Sequence, residues 1–312
     1  MPNLQSPAVA LCISDIHWSH KAPSTRIKEP DWYEAQARHI RRLYEIWSEV
    51  GRPPILMAGD LFHKWNEPIG LVSFISEQLE LYFGQSPIFV IPGQHDLPYH
   101  SDTVIERSAY HGLLRMCPWI TCLRGNEEGW TSNIRVIGYG WNDEQSEYEG
   151  QQDPDKISIA MVHRFAYNGK DTGFVGVENH GDTAYRLCYP GYDFTHYGDN
   201  HIPWHSSNVI NPGTFQVRNK DDIPKNLGAY TIHEDRTISH HPFHRDGDVI
   251  EAPLSVETVE GPSADEVIER LKATDTSIGS SLFEMLRSGL SQSAADESVK
   301  GEIMKLYKEL EK

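Results

Sequence analysis

Three short apolar runs constrain this chain more than anything else in it, because each stops at groups that bind cations. Residues 8–14 (AVALCIS) end at Asp15, residues 55–58 (ILMA) end at Gly59-Asp60, and residues 88–91 (IFVI) end at Pro92-Gly93, just before Gln94-His95-Asp96. Two stretches of helical period lie between them. Ile40, Leu43, Tyr44, Trp47 and Val50 share one face, and so do Val72, Ile75, Leu79 and Tyr82. Short apolar strands alternating with amphipathic helices form a mostly parallel sheet with the helices outside it. In an open sheet of this kind the carboxyl ends of the strands make the ligand crevice. Asp15, His17, Asp60, His95 and Asp96 are therefore expected to meet there. Residues 19–33, rich in Lys, Pro and Ser, read as a loop after the first strand.

From about residue 119 the texture changes. Short β-like runs at 134–139, 157–162, 192–197, 207–210 and 228–232 are separated by Gly, Asn, Asp and Pro, and predict a second sheet packed on the first. His163 closes one of these runs, and Gly198-Asp199-Asn200-His201 follows another, so both bring donors to the same mouth. Residues 141–155 are acidic and read as an exposed loop. After about 245 the pattern is helical, and Val299, Ile303, Leu306 and Leu310 form a stripe on a last helix. The chain divides into a domain at 1–245 and an extension at 246–312. Asp and His arriving from separate strand ends suit manganese, iron or zinc.

Charge narrows the classes. The 312 residues hold 28 Lys+Arg against 45 Asp+Glu, a net charge of −17, which excludes a basic nucleic-acid coat protein. No apolar run reaches the roughly 20 residues of a membrane span. Nor does a basic segment precede the first apolar run as in a signal peptide, so the expectation is a cytoplasmic protein. Cys12, Cys117, Cys122 and Cys188 form no CxxC pair and read as reduced thiols.

Taken in order, Asp15-x-His17, Gly59-Asp60, Gly93-Gln94-His95-Asp96, His163 and Gly198-Asp199-x-His201 resemble the calcineurin-like metallophosphoesterases, whose blocks run D-x-H, G-D, G-N-H-D, H and G-H-x-H. The longer block Gly59-Asp60-Leu61-Phe62-His63, and Asn211-Pro212-Gly213-Thr214 after the last block, are similar to the SbcD-like branch of DNA repair nucleases. The short tail is similar to phage or prophage members of that branch. The resemblance implies a four-layer α/β/β/α sandwich of two mixed sheets with a short helical C-terminal extension. It also implies two divalent metal ions bridged by Asp60. Asp15, His17 and His201 would complete one shell, and Gln94, His163 and Asp199 the other. His95 would protonate the leaving oxygen, Asp96 would orient its ring, and His63 would stand as a second histidine at the phosphate. The implied partners are a DNA substrate, an SbcC-like ATPase and a second copy in a homodimer, with no membrane.

Two positions depart from the family pattern. Gln94 replaces Asn and adds a methylene, and Asp199 replaces His and brings a third carboxylate to the site. Harder donors move the second metal toward manganese, with magnesium or iron next and zinc last. Were Asp199 not a ligand, His196 or His205 would take its place. The first reading is therefore a manganese-dependent DNA nuclease. The alternatives are a phosphatase or phosphodiesterase for a small nucleotide or phosphoprotein, and a non-catalytic binding subunit on the same fold. Singly, each of these residues reads as an ordinary polar residue at a strand end; only the ordered set points to chemistry. His20, His100, His111 and His180 read as loop or surface residues, Arg41 and Arg42 as a solvated helix face, and Trp18 and Tyr99 either as base-stacking aromatics or as core cover.

Overall fold

The computed structural model describes residues 6–84, 86–143, 155–169, 182–183 and 191–251. Strands β1 (Ala8–Ile13), β2 (Ile55–Met57), β3 (Ile88–Val90) and β4 (Ile120–Cys122) run parallel, in that order, through the first sheet. Their crossovers are helices α1 (Trp32–Glu49), α2 (Ile69–Phe83) and α3 (Ala109–Met116). The chain then passes through β5 (Glu128–Trp130), β6 (Ile134–Tyr139), β7 (Ile157–His163), a small ladder of β8 (Ala166–Tyr167) with β9 (Asp182–Thr183), β10 (Phe194–Gly198), β11 (Trp204–Ser206) and β12 (Val209–Asn211). In the second sheet β6, β7, β10 and β12 are parallel, with β5 and β11 antiparallel at the two edges. Both sheets are therefore mixed.

The run at 228–232, expected in the second sheet, lies in the first. It is part of β13 (Gly228–His233), which pairs antiparallel with β1, and β14 (Ile238–Pro242) adds beyond it. The pairing covers the edge of β1, which would otherwise present unpaired backbone groups, and sets Tyr230 and Ile232 in the core between the sheets.

Alternation along the strands builds the layers. Leu11, Ile13, Ile55, Met57, Ile88 and Val90 are buried with the apolar faces of α1, α2 and α3. Their neighbours Ala10, Cys12, Leu56, Phe89 and Ile91 are buried with Val136, Ile159, Met161, Phe194 and Ile210 of the second sheet. Strands covered on both faces read as continuous apolar runs, and each large aliphatic side chain so buried contributes about 1.5–3 kcal/mol. The far face of the second sheet carries its own cluster, including Tyr139, Val162, Tyr197 and Val209. No described helix contributes to that cluster, and the expected outer helical layer on that side lies outside the described residues. Among the described residues no helix is long and apolar enough to cross a membrane. Cys12, Cys117 and Cys122 are free thiols; Cys188, His180, most of the 141–155 loop and the 299–310 stripe lie outside the described residues.

The loop after β1 is held by α1. Asp31 caps the helix by accepting from the Tyr33 and Glu34 amides. Gln36 accepts from the Ser19 amide at 2.8 Å, and Trp32 donates to the Ser19 carbonyl at 2.8 Å. One reading of α1 needs correction. Arg41 is on the solvated face, but Arg42 is only 5% exposed and pairs with Asp248 at 2.9 Å. Asp248 also pairs with Arg26 at 3.1 Å and His39 at 3.3 Å, while Val249 N–H donates to Glu29 at 2.9 Å. Residues 246–251 are thus bound to α1 and the loop before it. Burial opposes ionisation of Asp248, but the His39 hydrogen bond and the Arg42 and Arg26 charges hold its carboxyl well below the usual range.

Candidate metal centre and catalytic cleft

The loops leaving β1, β2 and β10 carry their donors on left-handed backbone. Asp15 (φ 49°), His17 (φ 53°), Asp60 (φ 52°) and Asp199 (φ 84°) all sit there. Such positions cost of order 1–3 kcal/mol for a residue other than glycine and cluster where ligands are held. The strain is fixed by a backbone zipper: Asp15 N–H donates to Gly59 O at 3.1 Å, His17 N–H to Asp60 O at 2.9 Å, and Trp18 N–H to Leu61 O at 2.8 Å. Gly59 itself has φ 87°, and a Cβ there would strike the His163 ring. Gly93 is needed for a different reason: a Cβ on it would overlap Asp60.

Two donor groups result. In the first, His17 Nε2 lies 3.1 Å from His201 Nε2 and 3.7 Å from Asp60, and His201 lies 3.8 Å from Asp15. Two imidazole nitrogens facing one another leave at least one lone pair without a proton, the arrangement a cation completes. In the second, His163 Nδ1 donates to the Ala58 carbonyl at 2.7 Å, which turns Nε2 toward Gln94 Oε1 at 2.7 Å and Asp60 Oδ1 at 3.5 Å. In a neutral ring these are three acceptors pointed at one place. Gln94 Nε2 in turn donates to Asp199 at 2.7 Å, and the Asp199 amide donates to Asp15. Asp15, His17 and His201, and likewise Asp15, Asp60 and His163, can each direct three donor atoms to one point. Neither His196, buried within β10, nor His205, which packs on Tyr230 at 5.6 Å, joins them.

The electrostatics agree with cation binding. Burial, with the Asp60 charge adding to it and His163 opposing, pushes Asp15 up to about 8. Burial and then Asp96 push Asp60 well above the carboxylate range. Burial holds His17 well below the usual imidazole value, with His201 next in effect, and holds His201 near 4. The interior thus disfavours carboxylate charge and keeps the rings neutral, and a bound divalent ion reverses the first and uses the second. These residues fit two metal ions.

His95 and His63 stand beside this set with stacked rings, 5.6 Å apart at 16°. His95 N–H donates to Asp60 at 2.9 Å, and the His95 ring donates from Nδ1 to the His63 carbonyl at 2.8 Å. The expectation for Asp96 is corrected here. Its carboxylate accepts from the backbone amides of Leu61 (3.2 Å), Phe62 (2.9 Å) and Gly93 (3.0 Å) and makes no hydrogen bond to the His95 ring. Asp96 staples the β3 loop to the β2 loop, and the His63 carbonyl orients the ring. Trp18 is core cover at 2% exposed, whereas Tyr99 is 79% exposed.

His17, His63, His95 and His201 open onto a cleft of about 560 Å³ whose other walls include Lys21, Lys64, Glu67 and Arg218. The basic residues carried no signal in the sequence. Asn211-Pro212-Gly213-Thr214 acts as a clamp behind the metal loops: Asn211 donates to Asn200 O at 2.7 Å, Thr214 N–H to His201 O at 3.3 Å and Phe215 N–H to Asp15 O at 3.1 Å.

A centre of carboxylates, imidazoles and an amide gathered at the strand ends of a two-sheet α/β sandwich defines a metal-dependent hydrolase of phosphate esters. Residues 9–254 match the model of the calcineurin-like phosphoesterases, and the chain belongs to that family. No curated protein matches it. Among solved structures, one crystal structure is similar at 15% identity and a TM-score of 0.43, covering 75% of this chain and 98% of that one. A candidate 5′-nucleotidase from Staphylococcus aureus, in complex with alpha-ketoglutarate, is similar at 12% identity and a TM-score of 0.41, with 84% of this chain covered and 57% of the other.

Proposed function

We propose that this chain is an SbcD-like DNA nuclease, a two-metal phosphodiesterase that processes DNA ends with manganese. One observation carries the reading: the donor set opens onto a cleft walled by Lys21, Lys64 and Arg218, in a chain whose net charge is −17. Positive side chains gathered at one crevice suit a polyanion there despite the acidic total. The metals would be held by Asp15, His17 and His201 on one side and by Gln94, His163 and Asp199 on the other, with Asp60 between. When bound, the two cations neutralise the phosphate and acidify water.

The remaining steps belong to the chain. The His95 Nδ1 proton is committed to the His63 carbonyl, so the proton it gives to the leaving oxygen sits on Nε2, the atom 4.0 Å from Asp60. Burial lowers the pKa of His95, and the His63 carbonyl raises it. An anionic phosphate beside the ring raises it further, which loads the acid when substrate arrives. His63 keeps the plane of the His95 ring by stacking on it. Affinity for long DNA is a separate demand, and an SbcC-like ATPase partner supplies it in this reading. The acidic total favours a second reading, a small nucleotide or phosphoprotein substrate.

End-labelled duplex DNA and a small chromogenic phosphodiester, each with a manganese titration, separate the two. Manganese-stimulated loss of label is expected, with calorimetry giving two sites in wild type and altered metal preference in Asp199→His. Turnover of the small ester with intact DNA favours the second reading. No hydrolysis of either leaves only a binding role.

A further inference from the structure

Buried arginines elsewhere in this molecule face carboxylates. Arg26 and Arg42 are buried against Asp248, and Arg26 also against Glu29. Arg218 is equally buried, at 5% exposed, and among the described residues it makes no ion pair. Its Nη1 donates to the His17 carbonyl at 2.6 Å and to Ser19 Oγ at 3.3 Å. The carboxylates whose charge reaches it are Glu67 and Asp222, and both are engaged elsewhere. Asp222 accepts from the Arg218 and Asn219 amides and from Lys225, and Glu67 accepts from the His20 amide at 2.9 Å. Among the described residues the Nε–Nη2 edge of the guanidinium has no partner, on a side chain that lines the cleft. That edge is a planar pair of donors suited to bidentate recognition of a phosphate. A buried, unpaired guanidinium is costly unless a ligand supplies the anion. Lys21 and Lys64, both exposed, line the same cleft, with Glu67 as the opposing charge.

We propose that Arg218, with Lys21 and Lys64, forms a second phosphate subsite beside the metal centre, so that the substrate carries at least two phosphates: the one hydrolysed and a neighbour on the same strand. The proposal rests on the phosphodiesterase reading and deepens it. It makes Arg218 a specificity residue that also positions His17, since the guanidinium that grips the neighbouring phosphate holds the carbonyl of a metal-ligating residue. A substrate with one phosphate leaves the Arg218 edge without an anion.

The test uses two dinucleotides that differ in one group, thymidylyl-thymidine with and without a 5′-phosphate, hydrolysed by the manganese-loaded full chain. Wild type is expected to favour the phosphorylated form about tenfold or more in kcat/KM. Arg218→Gln brings that ratio close to one whatever happens to the absolute rate, Arg218→Lys keeps part of it, and Lys64→Gln lowers it. Should Arg218→Gln fold poorly, Lys64→Gln at an exposed position and Arg218→Lys carry the test. A second readout needs no metal. With EDTA present, binding of a labelled single-stranded oligonucleotide to Arg218→Gln should show a salt slope shallower by about 0.7 for the lost phosphate contact. Absence of a preference in wild type, or a ratio unchanged in the variants, overturns the proposal while leaving the nuclease reading intact. If wild type cuts neither dinucleotide and leaves duplex DNA intact yet turns over a chromogenic ester, the nuclease reading fails. The subsite is then judged by competition: pyrophosphate inhibiting no better than phosphate overturns it as well.

Discussion

Two regions of this molecule bury charge, and they do it in opposite ways. Where residues 246–251 meet α1, the buried guanidinium groups of Arg26 and Arg42 are answered by Asp248 and Glu29, and His39 joins them. At the mouth of the strands like stands beside like: Asp15 near Asp60, His17 against His201 and His95, and Arg218 with no carboxylate partner among the described residues. The first arrangement faces each buried guanidinium with a carboxylate as the chain folds. The second becomes complete only when ions and an anionic substrate enter. Balance marks a structural contact, and imbalance held in place by strained backbone marks a site.

The comparison breaks most visibly at Asp60. Asp60→Asn removes the carboxylate shared by both donor groups, and turnover is expected to fall at least about 10³-fold, or about 4 kcal/mol in transition-state terms. In EDTA the same variant should melt at or above the wild-type temperature, because one of two crowded buried carboxyls is gone. Manganese should raise the wild-type melting temperature, by the equivalent of about 2.7 kcal/mol at a hundredfold excess over Kd, and leave Asp60→Asn much less changed. A metal-free Asp60→Asn that melts far below wild type would show that the mouth is a stabilising network after all.

Asp248→Ala is the mirror experiment. It strands Arg42 and leaves Arg26 with Glu29 alone, and leaving a buried charge unpaired costs about 3–5 kcal/mol, a fall of roughly 10 °C in melting temperature for a domain of this size. The rate per folded molecule should stay at the wild-type level. An activity loss without a stability loss would join the two regions that the comparison separates.

The smallest effect is in pH. Because the Asp248 pKa is depressed in the folded protein, its contribution is present above the unfolded carboxylate value, near 4, and is lost as pH falls below it. The stability gap between wild type and Asp248→Asn, measured by urea unfolding, is therefore expected to be level from pH 7 to about 5 and to narrow in more acid solution. A gap that widens on acidification would contradict the pairing.

How much of this was legible in the sequence depended on what held each residue in place. β1, β2 and β3 could be read because burial on both faces writes a run of apolar residues. The three-residue strands β4, β5 and β11 left no such run. β13 was legible as a strand, but its partner was not, since pairing with β1 is a choice between edges that only the packed core makes. Asp15, His17, Asp60, His163 and His201 could be placed at one mouth because strand ends converge in an open sheet, whereas Gln94 was singled out only by the family's block pattern. Asp96 was found for the wrong contact: its place beside His95 suggested a pair, whereas its carboxylate turns back to three backbone amides. Arg218 was invisible, because what gives it meaning is a hydrogen bond to a carbonyl 201 positions away.

That long reach has a consequence for the order in which the protein comes into being. β1 is zipped to the loop after β2, yet its outer edge waits for β13, and Asp15 and His17 are clamped by residues 214–218. At ribosomal rates of about 5–20 residues per second, the partners of the first strand emerge about 10–45 seconds after it does. Through that interval the nascent chain holds the residues of a hydrolytic centre without the frame that makes them one. The growing polypeptide therefore acquires its reactivity late, when nearly the whole sandwich has left the exit tunnel.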